Sequence, residues 1–128
     1  MKILRKMDWD RLSHEYGVYG TRLLPWDGVC FPFGGAWCVV EPGTQSLDHI
    51  NDPCDEDELF IVISGCASVV VGGDAYYINK GDLVFIPAGK SHYIINNTDE
   101  EFHFYTIWWN TATVSTYSSS LYPLEETN

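Results

Sequence analysis

Two short stretches of this 128-residue chain concentrate the residue types that bind metals or move protons. The first opens as Gly43-TQSLD-His49 and resumes as Glu58-LFIVIS-Gly65, with INDPCDED between the two halves. The second reads Gly81-DLVFI-Pro87-A-Gly89-KS-His92-YII-Asn96. Gly81-Asp82 turns the chain into a strand, and Pro87 with Gly89 makes a tight turn out of it. That turn delivers His92 to the start of the next strand, where its side chain can point inward. Imidazole and carboxylate groups ligate divalent metals and exchange protons near neutral pH. Period-two alternation puts Phe60, Val62 and Ser64 on the face of Glu58, and Ile94 and Asn96 on the face of His92.

The elements that must position these groups are short strands, each closed by a turn signal. Candidate strands cover 36–41, 59–64, 67–71, 75–78, 83–86, 92–95 and 102–109. Their punctuation is Pro42-Gly43, Gly65, Gly72-Gly73, Asn79-Lys80-Gly81, Pro87-Ala88-Gly89 and Asn96-Asn97. Val, Ile, Phe, Tyr and Trp dominate the runs, which suits pleated, half-buried surfaces. The one candidate for a short helix is the mostly polar stretch 8–16. This pattern predicts an all-β sandwich, barrel or jelly roll able to enclose a ligand cavity. One domain is expected, with its barrel core at about 36–109, a peripheral N-terminal segment 1–35 and a tail 111–128.

The last strand, EFHFYTIWWN, is aromatic on both faces. His103, Tyr105, Ile107 and Trp109 form one face, and Phe102, Phe104, Thr106 and Trp108 the other. We expect the His103 and Tyr105 face to line the cavity, because an inward polar pair there would serve as proton donor or acceptor.

The net charge of −11 argues against nucleic acid and anionic membrane as partners, since both would repel the chain. The start MKILRKMDWDRL lacks an apolar core of signal-peptide length, and no apolar run reaches the roughly twenty residues of a membrane helix. A cytoplasmic protein with reduced thiols is the expectation. Cys30, Cys38, Cys54 and Cys66 follow no disulfide or CxxC spacing, and Cys38 and Cys66 read as small buried hydrophobes. The acidic run Asp52, Asp55, Glu56 and Asp57 reads as a solvated rim that would repel anionic substrates or attract ammonium groups.

The second stretch matches, residue for residue, the second motif of the cupin superfamily. The first stretch matches the other cupin motif with one departure: Asn51 stands where that motif has its second His, and six residues separate it from Glu58. The resemblance implies a single cupin barrel, a double-stranded β-helix or jelly roll. It implies a divalent metal held by His49, Glu58 and His92, with zinc favoured and iron possible. Two fourth ligands stay open: the Asn51 amide oxygen, or Cys54 if the longer loop bulges toward the site. Cupins are commonly homodimers, and the open edges of a small barrel make a dimer the expectation here.

More narrowly, the chain resembles the zinc-binding cupin half of bacterial hydrazine-forming synthetases. The matching points are Pro25-Trp26, Pro32-Phe33, Trp37-Cys38-Val39-Val40, Pro42-Gly43, His49, Glu58, His92 and Trp108-Trp109. That resemblance implies a small amino-acid-derived substrate, activated as an ester by a methionyl-tRNA-synthetase-like partner. The cupin would rearrange it to an N–N bond without net redox change. Two other readings use the same fold: an iron-dependent dioxygenase with the same three ligands, and a non-catalytic small-molecule-binding module.

Overall fold

The computed structural model describes residues 3–24, 32–52 and 54–110, and the description below is confined to them. They form nine strands: β1 Ser13–Glu15, β2 Val18–Leu24, β3 Gly34–Val40, β4 Glu56–Ser64, β5 Ala67–Val71, β6 Asp74–Ile78, β7 Leu83–Ile86, β8 His92–Ile95 and β9 Phe102–Asn110. Every pairing is antiparallel. One sheet has the order β1-β2-β3-β9-β4-β7 and the other β6-β5-β8. Their inner faces share one apolar core, in which Val40, Phe60, Val62, Phe102 and Phe104 of the large sheet join Val69, Ile78 and Ile94 of the small one. The fold is therefore the all-β barrel or jelly roll that the strand pattern predicts.

The stretch 8–16 is not a helix. Ser13–Glu15 is a strand, hairpinned to β2 through the two-residue loop Tyr16-Gly17. Both loop residues have positive φ, 52° and 77°, which gives the twist that a two-residue antiparallel hairpin needs. Holding a tyrosine there costs about 1–2 kcal/mol, offset by the contacts its ring makes below. The expectation of a peripheral N-terminal segment also fails for residues 13–24: β1 and β2 extend the large sheet, and β2 pairs with β3 from Tyr19 to Leu24. Residues 25–31, which include Cys30, and the tail 111–128 lie outside the described residues.

Phe102 is fully buried at the start of β9, where β9 bridges β3 and β4. Truncating it to Ala should destabilise the fold by about 3–5 kcal/mol in chemical denaturation, the usual cost of an emptied aromatic core site. A loss below about 1 kcal/mol would show that the two sheets do not depend on it.

Candidate metal and substrate site

His92 begins β8 and His49 lies on the segment that runs antiparallel to it. The two residues exchange backbone hydrogen bonds, His92 N to His49 O at 3.0 Å and His49 N to His92 O at 3.2 Å. Upstream, Ser46 N donates to Ile94 O at 2.9 Å and Ser46 Oγ accepts from Ile94 N at 2.7 Å. This zipper fixes the register, and the two imidazoles stand with ring centroids 4.5 Å apart. On the other side of His49 the Tyr16 ring stacks at 4.5 Å and 23°, and Leu47 N holds the hairpin tip through Tyr16 O at 2.8 Å.

Glu58 reaches the same place from β4. Its carboxylate accepts hydrogen bonds from Thr106 Oγ1 on β9 and from Asn51 Nδ2 at 3.1 Å, and its Oε1 lies 3.4 Å from His92 Nε2. Asn51, at the position of the missing histidine, thus faces the site and partners Glu58. Burial pushes the Glu58 carboxyl up, but His92, Thr106 and Asn51 outweigh it and hold the group below its ordinary value. For His92, burial acts to lower the imidazole, yet Glu58 and the Lys90 carbonyl outweigh it and raise it.

The tautomers follow from the second partners. His92 Nδ1 lies 3.1 Å from Lys90 O and His49 Nδ1 lies 3.0 Å from Leu47 O, so each Nδ1 carries the proton and each Nε2 the lone pair. His92 Nε2 is buried and has no hydrogen-bond partner in that state. It can donate to Glu58 only when the ring is protonated. An imidazole whose Nδ1 is tied to a carbonyl and whose Nε2 is left open is oriented as a metal ligand is.

These groups line a cavity of about 150 Å³ opening between the two sheets. Phe60, Ile94, Phe104 and Trp108 give it an apolar wall, and Glu15, Arg22, Asp52 and Glu56 a charged one. Among the described residues no three His, Cys, Asp or Glu side chains are already gathered as a metal cluster. The donor set and the orphaned Nε2 nevertheless fit a divalent ion, which His49, Glu58 and His92 would hold.

Three expectations are corrected. Cys54 is exposed in the turn before β4 and does not line the cavity, because the strand begins at Glu56 and leaves the thiol on the outside of the loop. His103 and Tyr105 do not line it either: Phe102, Phe104 and Thr106 are the buried face of β9. His103 instead accepts a hydrogen bond at Nδ1 from Trp37 Nε1 at 2.9 Å, and Tyr105 packs edge-on against Trp37. The acidic run is solvated only in part. Glu56 lines the cavity, and Asp57 Oδ1 accepts from Ala88 N at 2.8 Å, pinning the turn that leads into His92.

Sequence reading missed Tyr16, Arg22, Thr106 and Trp108 as site residues. Tyr-Gly between two alternating runs was the available signal for the first, and the opposite choice of β9 face would have given Thr106 and Trp108.

The fold and the paired histidine–carboxylate site define a cupin-type barrel. A family model for the cupin domain matches residues 36–108, and the chain belongs to that family. The chain is 49% identical to the plu4264 protein of Photorhabdus luminescens, with a TM-score of 0.81 over 94% of this chain and 98% of that one. A cupin 2 conserved barrel domain protein from Salinispora arenicola is 35% identical, with a TM-score of 0.78 over the same shares. A cupin-superfamily sugar phosphate isomerase from Silicibacter pomeroyi is 25% identical, with a TM-score of 0.66 over 84% of this chain and 76% of that one. An uncharacterised Streptomyces coelicolor protein is 38% identical over 40 residues, a match spanning 31% of this chain and 38% of that protein's length.

Replacing Thr106 by Val should cost about 1–3 kcal/mol, since it strips a donor from a buried carboxylate, and Thr106→Ser should recover most of it. Equal stability of all three proteins in denaturant would refute the assignment. In metal-free protein the raised His92 contributes stability below its ordinary 6.5, lost as pH rises through its native value. The lowered Glu58 contributes above its ordinary 4.5, lost as pH falls through its native value. The Tm of chelator-treated protein should therefore peak between 4.5 and 6.5 and fall as pH rises above 6.5. A Tm flat across that range would show that the pair is not coupled to folding.

Proposed function

We propose that this cupin is a metal-dependent enzyme acting on a small molecule in the cavity, with zinc held by His49, Glu58 and His92. The observation that carries this reading is the convergence of His92 Nε2, buried and without a hydrogen bond while its ring is neutral, with Glu58 at 3.4 Å and the His49 ring. When bound, zinc supplies Lewis acidity and a fixed attachment point for a substrate carboxylate or amine, without redox change.

The chain's own residues do the rest. Thr106 and Asn51 keep the Glu58 carboxylate ionised and aimed, and Tyr16 backs the His49 ring. Phe60, Phe104 and Trp108 give the cavity an apolar wall, the surrounding that favours an intramolecular rearrangement over hydrolysis. Glu56 lines the cavity where His103 and Tyr105 were expected. Burial, then the Glu58 charge, raises its carboxyl, so it holds a proton at Oε1 or Oε2 more readily than an ordinary carboxylate. Within this class we read the reaction as redox-neutral, with rearrangement of an amino-acid ester to an N–N bond as its narrowest form. The matches at Trp37-Cys38-Val39-Val40 and Trp108-Trp109 support that form, and it requires a synthetase-like partner to make the ester.

Metal content by mass spectrometry, on protein purified without added metal and beside His92→Ala, tests the reading. About one zinc per chain in the parent, lost in the variant, is the expected outcome. Iron in its place, with activity that requires O₂, would replace the rearrangement by a dioxygenase. No metal in the parent even after reconstitution would overturn metal dependence.

A further inference from the structure

Arg22 is the only Lys or Arg side chain among the described residues that line the cavity, facing Glu15, Asp52, Glu56 and Glu58. Retaining a guanidinium there, in a chain with 18 acidic and 7 basic residues, calls for a reason. Its ion pair with Glu15 is not a sufficient one. Both side chains are about half exposed, and pairs of that kind contribute little to stability.

The geometry supplies another. Arg22 uses Nε for Glu15 Oε2 at 3.3 Å, and its guanidinium lies over the Trp108 ring, 5.2 Å from the centroid. These two contacts restrict where the group can sit. The side chain is 56% exposed, which leaves its terminal Nη edge open to a ligand from solvent. Trp108 is itself held in place by Gly34, where a Cβ would run into the indole. The result is a half-exposed guanidinium fork at the rim of a cavity that His92 and Glu58 also line. A planar fork with its terminal edge open matches a carboxylate, which it binds through two parallel hydrogen bonds.

We propose that Arg22, placed by Glu15 and Trp108, is the carboxylate anchor of this site, and that the cavity takes small zwitterionic ligands of amino-acid type. The ligand carboxylate pairs with Arg22, and its ammonium group is drawn to Asp52 and Glu56 on the same rim. The inference rests on the reading of the cavity as a small-molecule site but not on the metal. The acidic rim by itself would admit any amine, and Arg22 converts it into a site selective for molecules carrying both charges.

The test uses three probes of one skeleton: L-norleucine, which carries both charges, hexanoate, which carries the carboxylate alone, and n-pentylamine, which carries the ammonium alone. Each is titrated calorimetrically into the full chain, zinc-loaded and chelator-treated, as the parent and as Arg22→Gln and Arg22→Lys. The parent should bind norleucine at least about tenfold more tightly than either singly charged probe. Arg22→Gln should lose about tenfold or more for norleucine and leave pentylamine unchanged, with Arg22→Lys in between because a point charge cannot form the fork. Zinc content and Tm should match the parent in both variants. Norleucine binding that Arg22→Gln leaves intact, or no preference for norleucine in the parent, would overturn the proposal. Absence of zinc with an intact Arg22 effect would sink only the metal reading, whereas a normal zinc content with no Arg22 effect would sink only this one.

Discussion

The buried carboxylate of Glu58 is the constraint on which the interior depends. A carboxylate 8% exposed is expensive to keep ionised unless its oxygens are bonded. The partners come from three separate parts of the chain: Thr106 from β9, His92 from β8, and Asn51 from the loop that follows His49. Satisfying that one group therefore fixes the register of β4 against β9 and the approach of β8 from the other sheet. The backbone exchange between His49 and His92 then follows, because a segment that carries Asn51 to Glu58 must already run alongside β8. One polar group holds together parts that hydrophobic burial alone would let slide, since apolar strands in a barrel pack almost as well one pair of residues out of register.

The outer face of β9 explains why an imidazole can be held just as firmly without being reactive. Trp37 Nε1 donates to His103 Nδ1, so the ring proton sits on Nε2 and faces Glu101 Oε1 at 3.3 Å. Both nitrogens are occupied. Trp9 adds an edge contact to Trp37 at 5.4 Å, and the cluster joins the N-terminal arm to the outside of the large sheet. His92 also has a carboxylate near its Nε2, but it is buried at the cavity beside Glu58 and the His49 ring, whereas His103 sits on the outer face of β9.

Strand positions were legible because each is bounded by a turn residue with a mechanical reason to be there. Gly72-Gly73, with φ of 57° and 90°, closes the β5–β6 hairpin, and the candidate strands 67–71 and 75–78 fall almost where β5 and β6 lie. His49, Glu58 and His92 were legible from motif spacing, and the structure brings them to one cavity. The β1–β2 hairpin was not, since a tyrosine with positive φ is stabilised by the stack on His49, a contact 33 residues away that local propensity cannot see. The lining face of β9 was not legible either. The arm carrying Trp9 covers part of the outer face, so both faces of β9 carry the aromatics that mark burial, and alternation loses its contrast. Cys54 was misplaced because loop length shows that a bulge exists, whereas its direction depends on where β4 begins.

The chemistry left to this cavity belongs to oxygen and nitrogen groups. Cys38 lines it, yet burial first and the Glu58 charge second push its thiol up to about 12, so it stays protonated at neutral pH and is no nucleophile. Four carboxylates against one guanidinium give the interior a negative potential, strengthened by apolar walls that screen poorly. Such a field gathers cations, whether a divalent ion or an ammonium group, and it adds to the burial that makes the Glu56 carboxyl reluctant to ionise. A ligand carboxylate entering unaided would be repelled. It is admitted only where the wall offers a positive group, so Arg22 decides where on the rim the carboxylate of a zwitterion comes to rest.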